Sequence, residues 1–318
     1  LTTLAEMYKP RRVVQAEVNY SDFPPPPEGF GKSRGIDGKY LNALQAVDAL
    51  LIVIRDFHSP SVGHVLETVD SVRDTTVILT EMVYSDLEIL DRRLTRIDEG
   101  FKAAKSQERE DLTREQTMLC RVRERLNEGV GLRDQDLSSD EVRRITGFGC
   151  LSIKPLIVVF NIGEDQMPDS EVLEQKAASC LSGKHIRTVL ICAELEMALA
   201  QMELKEEQEF RSYLDAGESG LSRIIRVSYD VVDQVSFFTV GEDEVRAWQI
   251  ARGTIAQRAA GKIHSDLERG FIRAEVISYD NLIKCGGLGE AKRLGVLRQE
   301  GKNYLVEDGD IMHVLFNV

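Results

Sequence analysis

One stretch of the sequence restricts the fold more than any other. The apolar run Leu156–Phe160, preceded by Pro155, leads into the tetrad Asn161-Ile162-Gly163-Glu164. Apolar runs without alternation are typical of strands buried on both faces, as in a parallel sheet. Ligands of open α/β sheets bind just beyond the carboxyl ends of such strands. Asn161 and Glu164 are therefore candidates for contacts with a small molecule, although Asn and Gly are equally common in ordinary strand-to-helix turns.

Composition excludes several classes of protein. At 318 residues, 42% of them hydrophobic, the chain can fill the cores of two or three domains. The net charge of −13 argues against non-specific binding to nucleic acid or anionic membranes, so we expect no membrane partner and no recognition of DNA sequence. No apolar run is long enough to cross a bilayer, and we expect no signal peptide.

The five cysteines are scattered and form no Cys-x-x-Cys pair. Such spacing favours reduced thiols in a cytoplasmic protein that has neither a zinc site nor a disulfide framework.

Strands that alternate with helices predict a doubly wound, mostly parallel α/β sheet. The expected strands are Val13 to Val18, Asp48 to Arg55, Leu156 to Ile162, and Arg187 to Glu194. The expected helices are Tyr40 to Val47, Ser170 to Leu181, Leu195 to Arg211, and Leu221 to Val232.

A second pattern interrupts this alternation. Apolar residues step by four and three from Val83 through Leu90 and Ile97 to Phe101, and the spacing resumes at Leu112 to Leu126 after a polar turn. Two such segments predict an antiparallel helical hairpin inserted between two strands. The mixed charges on its outer faces fit either a solvated surface or an arm that binds a partner.

Short strands follow from about Val235, and two of them flank Gly241 to Glu244 as a plausible hairpin. A small sheet crossed by short helices is expected there, as a separate α+β module.

Several motifs together resemble the YchF/Obg-like ATPase family of P-loop nucleotidases. The likeness is densest in Glu244 to Trp248, Ala260 to Val276 and Asp308 to His313, which are similar to the C-terminal TGS domain of that family. Asn161-Ile162-Gly163-Glu164 matches the family's Asn-x-x-Glu tetrad, which replaces the Asn-Lys-x-Asp of related GTPases. Cys192, Ala193 and Glu194 occupy the place of the next base-side loop.

The resemblance implies a domain organisation. Residues 1–74 and 147–234 would form an N-terminally truncated P-loop NTPase domain, residues 75–146 the inserted helical hairpin, and residues 235–318 a β-grasp-like TGS domain. It also implies ATP and Mg²⁺ as cofactors.

The tetrad has a direct chemical consequence for base preference. An Asp at its fourth position accepts from the N1–H and N2–H₂ groups of guanine, whereas adenine presents an N6 donor beside an N1 acceptor. Glu164 lengthens the side chain and breaks the two-point fit to guanine, and Ile162 in place of Lys offers an apolar contact with the base. A preference for ATP over GTP is therefore expected, as the family implies.

Two departures from the family weaken the expectation of catalysis. The phosphate-binding pattern Gly-x₄-Gly-Lys-[Ser/Thr] does not occur, because Pro26 stands where Gly31-Lys32-Ser33 would need its first glycine. The resemblance implies that this loop, whose amides and lysine hold phosphates and whose Ser/Thr holds Mg²⁺, lies upstream of Leu1.

The second departure lies in the family's Asp-x-x-Gly loop. Asp22 keeps the acid that would reach Mg²⁺ through water, but the glycine that meets the γ-phosphate is replaced by Pro25, which has no N–H. We therefore expect slow or lost hydrolysis. The features also fit a non-catalytic adaptor with a degenerate NTPase domain.

The resemblance implies the ribosome, or another RNA-containing complex, as a partner bound through the helical hairpin and the TGS domain. Residues 235–318 carry eleven Lys and Arg against twelve Asp and Glu, whereas residues 1–234 carry 29 and 41. A nearly neutral module in an acidic chain allows a local basic face. The candidate contacts are Arg246, Arg252, Arg258, Lys262, Arg269 and Arg273.

Overall fold

A computed structural model describes residues 1–23, 36, 38–61, 63–64, 68–181, 183, 185–214 and 216–317. In chain order the strands are β1 Arg12–Val14, β2 Leu50–Asp56, β3 Leu156–Ile162, β4 Ile186–Ile191, β5 Gln234–Val240, β6 Glu244–Ala251, β7 Phe271–Ser278, β8 Arg298–Glu300 and β9 Asp310–Phe316. The α-helices are α1 Thr2–Tyr8, α2 Gly38–Gln45, α3 Ser71–Gly100, α4 Ser106–Asn127, α5 Ser139–Thr146, α6 Ser170–Cys180, α7 Ala193–Leu199, α8 Leu204–Tyr213, α9 Gly220–Val231, α10 Ala256–Ile263, α11 Ser265–Arg269, α12 Tyr279–Cys285 and α13 Leu288–Arg293.

The chain forms two compact units. The larger unit holds residues 22–232, and the smaller unit holds residues 1–21 together with 233–318. No helix in the described ranges is long and apolar enough to span a bilayer.

The larger unit contains a parallel sheet in the order β2-β3-β4. Its middle strand, β3, is buried on both faces, as its unbroken apolar run predicts. Leu156, Val158 and Phe160 pack into one cluster, and Ile157 and Val159 pack into another on the opposite face. The expected α/β architecture is thereby confirmed.

Strand β2 differs from its prediction as a buried strand. Leu51 is 36% exposed and Val53 is 61% exposed. They pair with Ile157 and Val159 in the register of the sheet, but they lie outside the cluster that covers those two residues. In the described part of the sheet, β2 is an outer strand that is covered on one face only.

The helical hairpin is formed by α3 and α4. Asp70 caps α3 by accepting a hydrogen bond from the Arg73 amide at 3.0 Å. The predicted seam is its core: the members that are at most 1% exposed are Leu90, Ile97, Leu119, Val122 and Leu126. Arg93 on α3 and Glu115 on α4 join the helices through two hydrogen bonds of 2.6 and 3.0 Å.

A buried carboxylate fastens the hairpin to the chain that leads into β3. Asp86 on α3 is fully buried and accepts hydrogen bonds from the amides of Leu151 at 2.6 Å and Ser152 at 2.8 Å. Burial raises the pKa of Asp86 to about 6, while the bonds from Ser152 and Leu151 and the charge of Arg133 oppose that rise.

The acidic segment after β4 is two helices, so the prediction of one helix from Leu195 to Arg211 is wrong. Helix α7 ends at Leu199 and α8 begins at Leu204. The bend returns Arg211 to Glu196, with two hydrogen bonds of 3.0 and 2.7 Å. Neither Gly nor Pro marks the break between the helices.

The smaller unit contains a six-stranded sheet in the order β1-β6-β5-β9-β7-β8. The predicted hairpin is present, since β5 and β6 pair antiparallel. One face is covered by α10, including Ala259 and Ala260, and the other face packs Leu4 of α1 against Leu282 of α12.

The expectation that residues 1–20 belong to the NTPase domain is not met. Strand β1 pairs in parallel with β6, with Val13 opposite Val245, and Leu1–Ser21 falls in the smaller unit. Val13 is 42% exposed. Polar residues interrupt the apolar ones from Val14 to Val18, so this short strand suits a sheet edge better than a buried position.

We expect Asp86 to impose a measurable pH dependence on stability. Because its pKa in the folded chain is raised above that of an unfolded chain, its favourable contribution is complete below about pH 4 and is lost as the pH rises through about 6. Asp86→Asn removes this titration. The free energy of unfolding of the variant, relative to the wild type, should therefore rise by about 2 kcal/mol between pH 4 and 6.5.

Urea denaturation at a series of pH values measures that difference. Glu99→Gln, an exposed carboxylate of the same helix, is the matched control and should change the pH dependence of stability far less. A flat or falling difference for Asp86→Asn would show that the hydrogen bonds, and not burial, dominate this carboxylate.

Candidate functional site

The predicted site lies at the carboxyl ends of β3 and β4. These strands are parallel neighbours, with Asn161 opposite Ile191. The tetrad at the end of β3 therefore meets the loop Cys192–Glu194 at the end of β4. This is the edge at which open parallel sheets bind ligands.

Asn161 joins the two loops directly. Its side chain is half-buried, and its Oδ1 accepts a hydrogen bond from the Ala193 amide at 3.0 Å. Ala193 is the first residue of α7, so the bond satisfies one of the amides that a helix start leaves unpaired. One side chain thereby fixes the separation of the tetrad from the following loop.

Gly163 lies at the turn after β3, close to the Asp165 side chain. Its amide donates to Gln166 Oε1 at 2.8 Å as the chain enters a 3-10 helix over Glu164–Asp169. A Cβ atom at Gly163 would lie 2.4 Å from Asp165 Oδ1 and 3.5 Å from Phe57 Cβ. An alanine at 163 would therefore require the Asp165 side chain to rotate away, while Phe57 would remain at an ordinary contact distance.

Ile162 is buried, and it is not exposed to a base as the sequence predicted. It is 2% exposed and belongs to the core cluster with Phe160 and Leu190. Because the strand continues through Ile162, its side chain alternates into the interior. The residue therefore anchors the end of β3. Its side chain is not exposed for the apolar contact with a base that the sequence predicted.

The remaining predicted residues surround the Cys192 thiol. Cys192 is 4% exposed, and burial raises the pKa of its thiol. A hydrogen bond from the Leu195 amide opposes this rise, and the charge of the nearby Glu164 carboxylate adds to it. The thiol is therefore neutral at physiological pH. Glu164 and Glu194 are both exposed, so two carboxylates from different loops lie at this edge. Carboxylate oxygens accept hydrogen bonds from amino groups.

Ion pairs behind the site hold the adjoining helices, and sequence reasoning missed them. Burial alone would raise the pKa of Glu196, but hydrogen bonds from Arg211 and the Gly220 amide lower it. Arg223 donates to the Leu190 carbonyl at 3.1 Å and pairs with Glu174. Glu207 and Arg211 are four residues apart, so their ion pair could be predicted from the sequence. The contact of Arg211 with Glu196 across the α7–α8 bend follows no such spacing and could not.

Asp22, the predicted Mg²⁺ residue, is exposed. Its neighbour Phe23 lies edge-on to Tyr40 of α2, with ring centroids 6.1 Å apart. Within the described ranges, no three His, Cys, Asp or Glu side chains are placed to hold a metal ion. The described residues alone thus do not form a Mg²⁺ site. Pro24–Pro27 and Gly31–Ser33 lie outside the described residues.

The predicted basic residues of the smaller unit are mostly paired with carboxylates. Arg252 lies 2.9 Å from Asp233, and Arg258 lies 3.2 Å from Glu268. Arg269 pairs with Asp266, and Arg246 lies 3.9 Å from Glu244 with its guanidinium 4.0 Å from the centre of the Trp248 ring. Lys262 and Arg273 are exposed, and the structure shows no ion pair for either among the residues it describes. A continuous basic face is therefore not preformed.

Comparison with known proteins supports the family assignment. Residues 235–317 match the family model YchF-GTPase_C, which is described as a protein of unknown function (DUF933). The chain is 34% identical over 320 residues to the ribosome-binding ATPase YchF of Bacillus subtilis, and the alignment spans all of this chain and 86% of that protein. The corresponding protein of Escherichia coli O157:H7 is 35% identical over 319 residues, with the same coverage.

The chain belongs to the YchF family. Its fold agrees as well: the solved structure of the Schizosaccharomyces pombe YchF GTPase superposes with a TM-score of 0.82 at 28% identity, over 99% of this chain and 84% of that one. The resemblance read from the tetrad and the C-terminal motifs is therefore confirmed. As a member of the YchF family, the chain has a P-loop NTPase fold with a C-terminal domain.

We predict that Asn161→Ala releases the Ala193 amide. Losing one hydrogen bond of about 1 kcal/mol should raise the hydrogen-exchange rate of that amide roughly fivefold. Exchange followed by NMR on labelled protein measures it. Gln166→Ala is the matched control, since it should accelerate Gly163 and leave Ala193 unchanged. Equal exchange at Ala193 in wild type and Asn161→Ala would mean that the side chain does not hold the two loops together.

Proposed function

We propose that this chain is a nucleotide-dependent switch of the YchF type that binds ATP in preference to GTP. The observation that supports the proposal most is the hydrogen bond that the Ala193 amide donates to Asn161, which assembles a carboxylate-bearing edge from two loops. The amino group of adenine is a donor that these carboxylates suit, and guanine has a carbonyl at the same position.

The proposal assigns a role to each loop. Glu164 accepts from the base amino group, and Asn161 holds the loop of Ala193 and Glu194 beside it. Cys192 supplies a buried, neutral thiol under the base. Mg²⁺ is proposed only for a complex that includes a phosphate-binding loop, because Asp22 stands alone as a candidate ligand in the described residues.

We predict that Glu164→Asp reduces the preference for ATP. The shorter side chain restores the reach that suits guanine, so the ratio of the GTP and ATP dissociation constants should fall about tenfold, a change of about 1.4 kcal/mol. Calorimetric titrations of the full chain with ATP and with GTP measure both constants. Glu171→Asp, an exposed site on α6, makes the same chemical change away from the edge and should leave the ratio unchanged.

A wild-type chain that binds GTP as tightly as ATP would contradict the assignment of Glu164. A chain that binds neither nucleotide would favour the second candidate function, a non-catalytic adaptor with a degenerate NTPase domain. The replacement of the loop glycine by Pro25 is the observation that favours that alternative.

Hydrolysis is proposed to be slow. Pro25 cannot donate the hydrogen bond that a glycine amide would give to the γ-phosphate, so the sensing loop lacks one of its contacts.

Pro25→Gly, in a polypeptide that carries the family's phosphate loop, should raise ATP turnover about tenfold, measured as released phosphate. Unchanged turnover would place the limitation elsewhere.

The ribosome is the proposed partner, in the cytoplasm, because the bacterial relatives carry the name ribosome-binding ATPase. The proposed contacts include Lys262 and Arg273, whose charges are not engaged in ion pairs within the described part of the chain.

The double change Lys262→Glu and Arg273→Glu should reduce co-sedimentation with ribosomes about tenfold at moderate salt. Arg293→Glu, where the cation is paired with Glu290, is the control. Unchanged co-sedimentation of the double variant would remove these contacts.

A further inference from the structure

A cavity of about 170 Å³ lies within the smaller unit, between α13 and the face of the sheet formed by β5, β7 and β9. Its floor is apolar and continuous with the core of that unit. Val240, Leu288, Leu297 and Ile311 line it, and all four pack in the cluster that buries Leu282. A cavity of about 150 Å³ with apolar walls takes a molecule of the size of benzene. The space therefore suits a small aliphatic group, and it is too small for a nucleotide.

Three ionisable side chains line the cavity beside this apolar floor. Glu275 of β7 lies opposite His313 of β9 in the register of the sheet, and Lys292 comes from α13. Within the residues that it describes, the structure shows neither an ion pair nor a hydrogen bond for any of these three side chains. By contrast Arg293, the next residue of α13, is paired with Glu290. A negative and a positive group are thus present on two different walls, and neither is engaged.

The surroundings of Glu275 show what kind of partner is missing. The side chain is half-buried, a position in which a carboxylate without a partner is costly. The residues directly opposite it are Gln299 on β8 and His313 on β9, so neither flanking strand places a Lys or Arg there. A ligand with its own ammonium group would supply the partner. A carboxylate on the same ligand would meet Lys292.

Gly289 leaves room above the floor of the cavity. It lies in α13, although glycine is a poorer helix former than alanine. Its φ is not positive, and a Cβ atom built at this position would meet no heavy atom within 4 Å. Neither backbone conformation nor packing therefore requires a glycine here. A side chain at this position would instead take up space at the cavity that Gly289 lines.

We propose that this cavity binds a small branched aliphatic α-amino acid, of the size of leucine. The aliphatic side chain lies on the apolar floor, the ammonium group donates to Glu275, and the carboxylate accepts from Lys292. His313, in its neutral form, offers a second acceptor beside Glu275. The inference goes beyond the proposed function, because it assigns the smaller unit a ligand of its own and involves neither the nucleotide nor the ribosome.

Calorimetric titration of the full chain with L-leucine tests the proposal. A dissociation constant below about 1 mM is expected. Two analogues keep the aliphatic part: 4-methylpentanoate lacks the ammonium group, and 3-methylbutylamine lacks the carboxylate. Each should bind at least about tenfold more weakly than L-leucine, because a charge-assisted hydrogen bond is lost and its protein partner is left unpaired.

Two variants assign the two charges. Glu275→Gln should weaken the binding of L-leucine about tenfold and leave that of 4-methylpentanoate unchanged, since this analogue has no ammonium group. Lys292→Met should weaken L-leucine about tenfold and leave 3-methylbutylamine unchanged. Glu6→Gln and Lys284→Met are the matched controls and should alter no affinity. Both control residues are exposed in the smaller unit, and neither lines the cavity.

A third variant fills the cavity and removes no charge. Gly289→Leu should abolish the binding of L-leucine, while circular dichroism melting shows that the chain folds as the wild type does. Leucine is the better helix former, and a Cβ atom at this position has no neighbour to displace. Chemical shifts on the labelled wild type locate the site, since the amides of Gly289 and Ile311 should move as L-leucine is added.

Any one of four results would overturn the proposal. The first is no binding of L-leucine up to about 10 mM. The second is an affinity for L-leucine that is unchanged in Glu275→Gln or in Lys292→Met. The third is an analogue that binds as tightly as L-leucine, which would mean that one charge suffices. The fourth is equally tight binding of L-tryptophan, whose side chain is too large for the cavity. Titrations of the wild type with ATP and GTP report separately on the proposed function.

Discussion

The hydrogen bond that the Ala193 amide donates to Asn161 Oδ1 is the interaction on which the candidate site depends. Parallel strands bring their carboxyl ends to one edge of the sheet, but the backbone ladder does not fix the loops that follow. A single amide side chain at the end of β3 reaches the start of α7 and closes that gap. The Gly163 amide then donates to Gln166 in the turn that presents Glu164 beside the same edge.

A second constraint governs the helical hairpin. Its seam is apolar, but it is fastened at the root by Asp86, which accepts two backbone hydrogen bonds in full burial. Such a carboxylate is costly to bury and specific in what it binds, so it fixes the register of α3 against the segment before β3. The root of the hairpin is thereby fixed to the segment that leads into β3.

The parts that were predictable from sequence are those with strong local periodicity. The buried run of β3 and the seam around Leu90, Ile97 and Leu119 follow from spacing alone, because burial on two faces and a heptad each leave a distinct pattern. The tetrad also identified the edge at which Asn161 and Glu164 lie. The C-terminal motifs, which resemble the TGS domain, identified the family.

What could not be predicted depends on partners distant in sequence. The sequence of strand β1 predicts a strand but not the sheet that contains it. Only its pairing with β6 assigns it to the smaller unit. The break between α7 and α8 is stabilised by Arg211 returning to Glu196, a contact that no fixed spacing encodes. Ile162 was assigned to a base contact because motifs carry no information on side-chain direction at a strand end.

The central claim is that a purine binds at the edge formed by the tetrad and the loop after β4. Chemical-shift mapping on the labelled chain tests it most directly, with ATP and GTP added in parallel titrations. The account predicts saturable shifts of the Gly163, Glu164, Ala193 and Glu194 amides with ATP, at lower concentration than with GTP. If ATP binds while these four amides keep their positions, the base lies elsewhere and the account is contradicted.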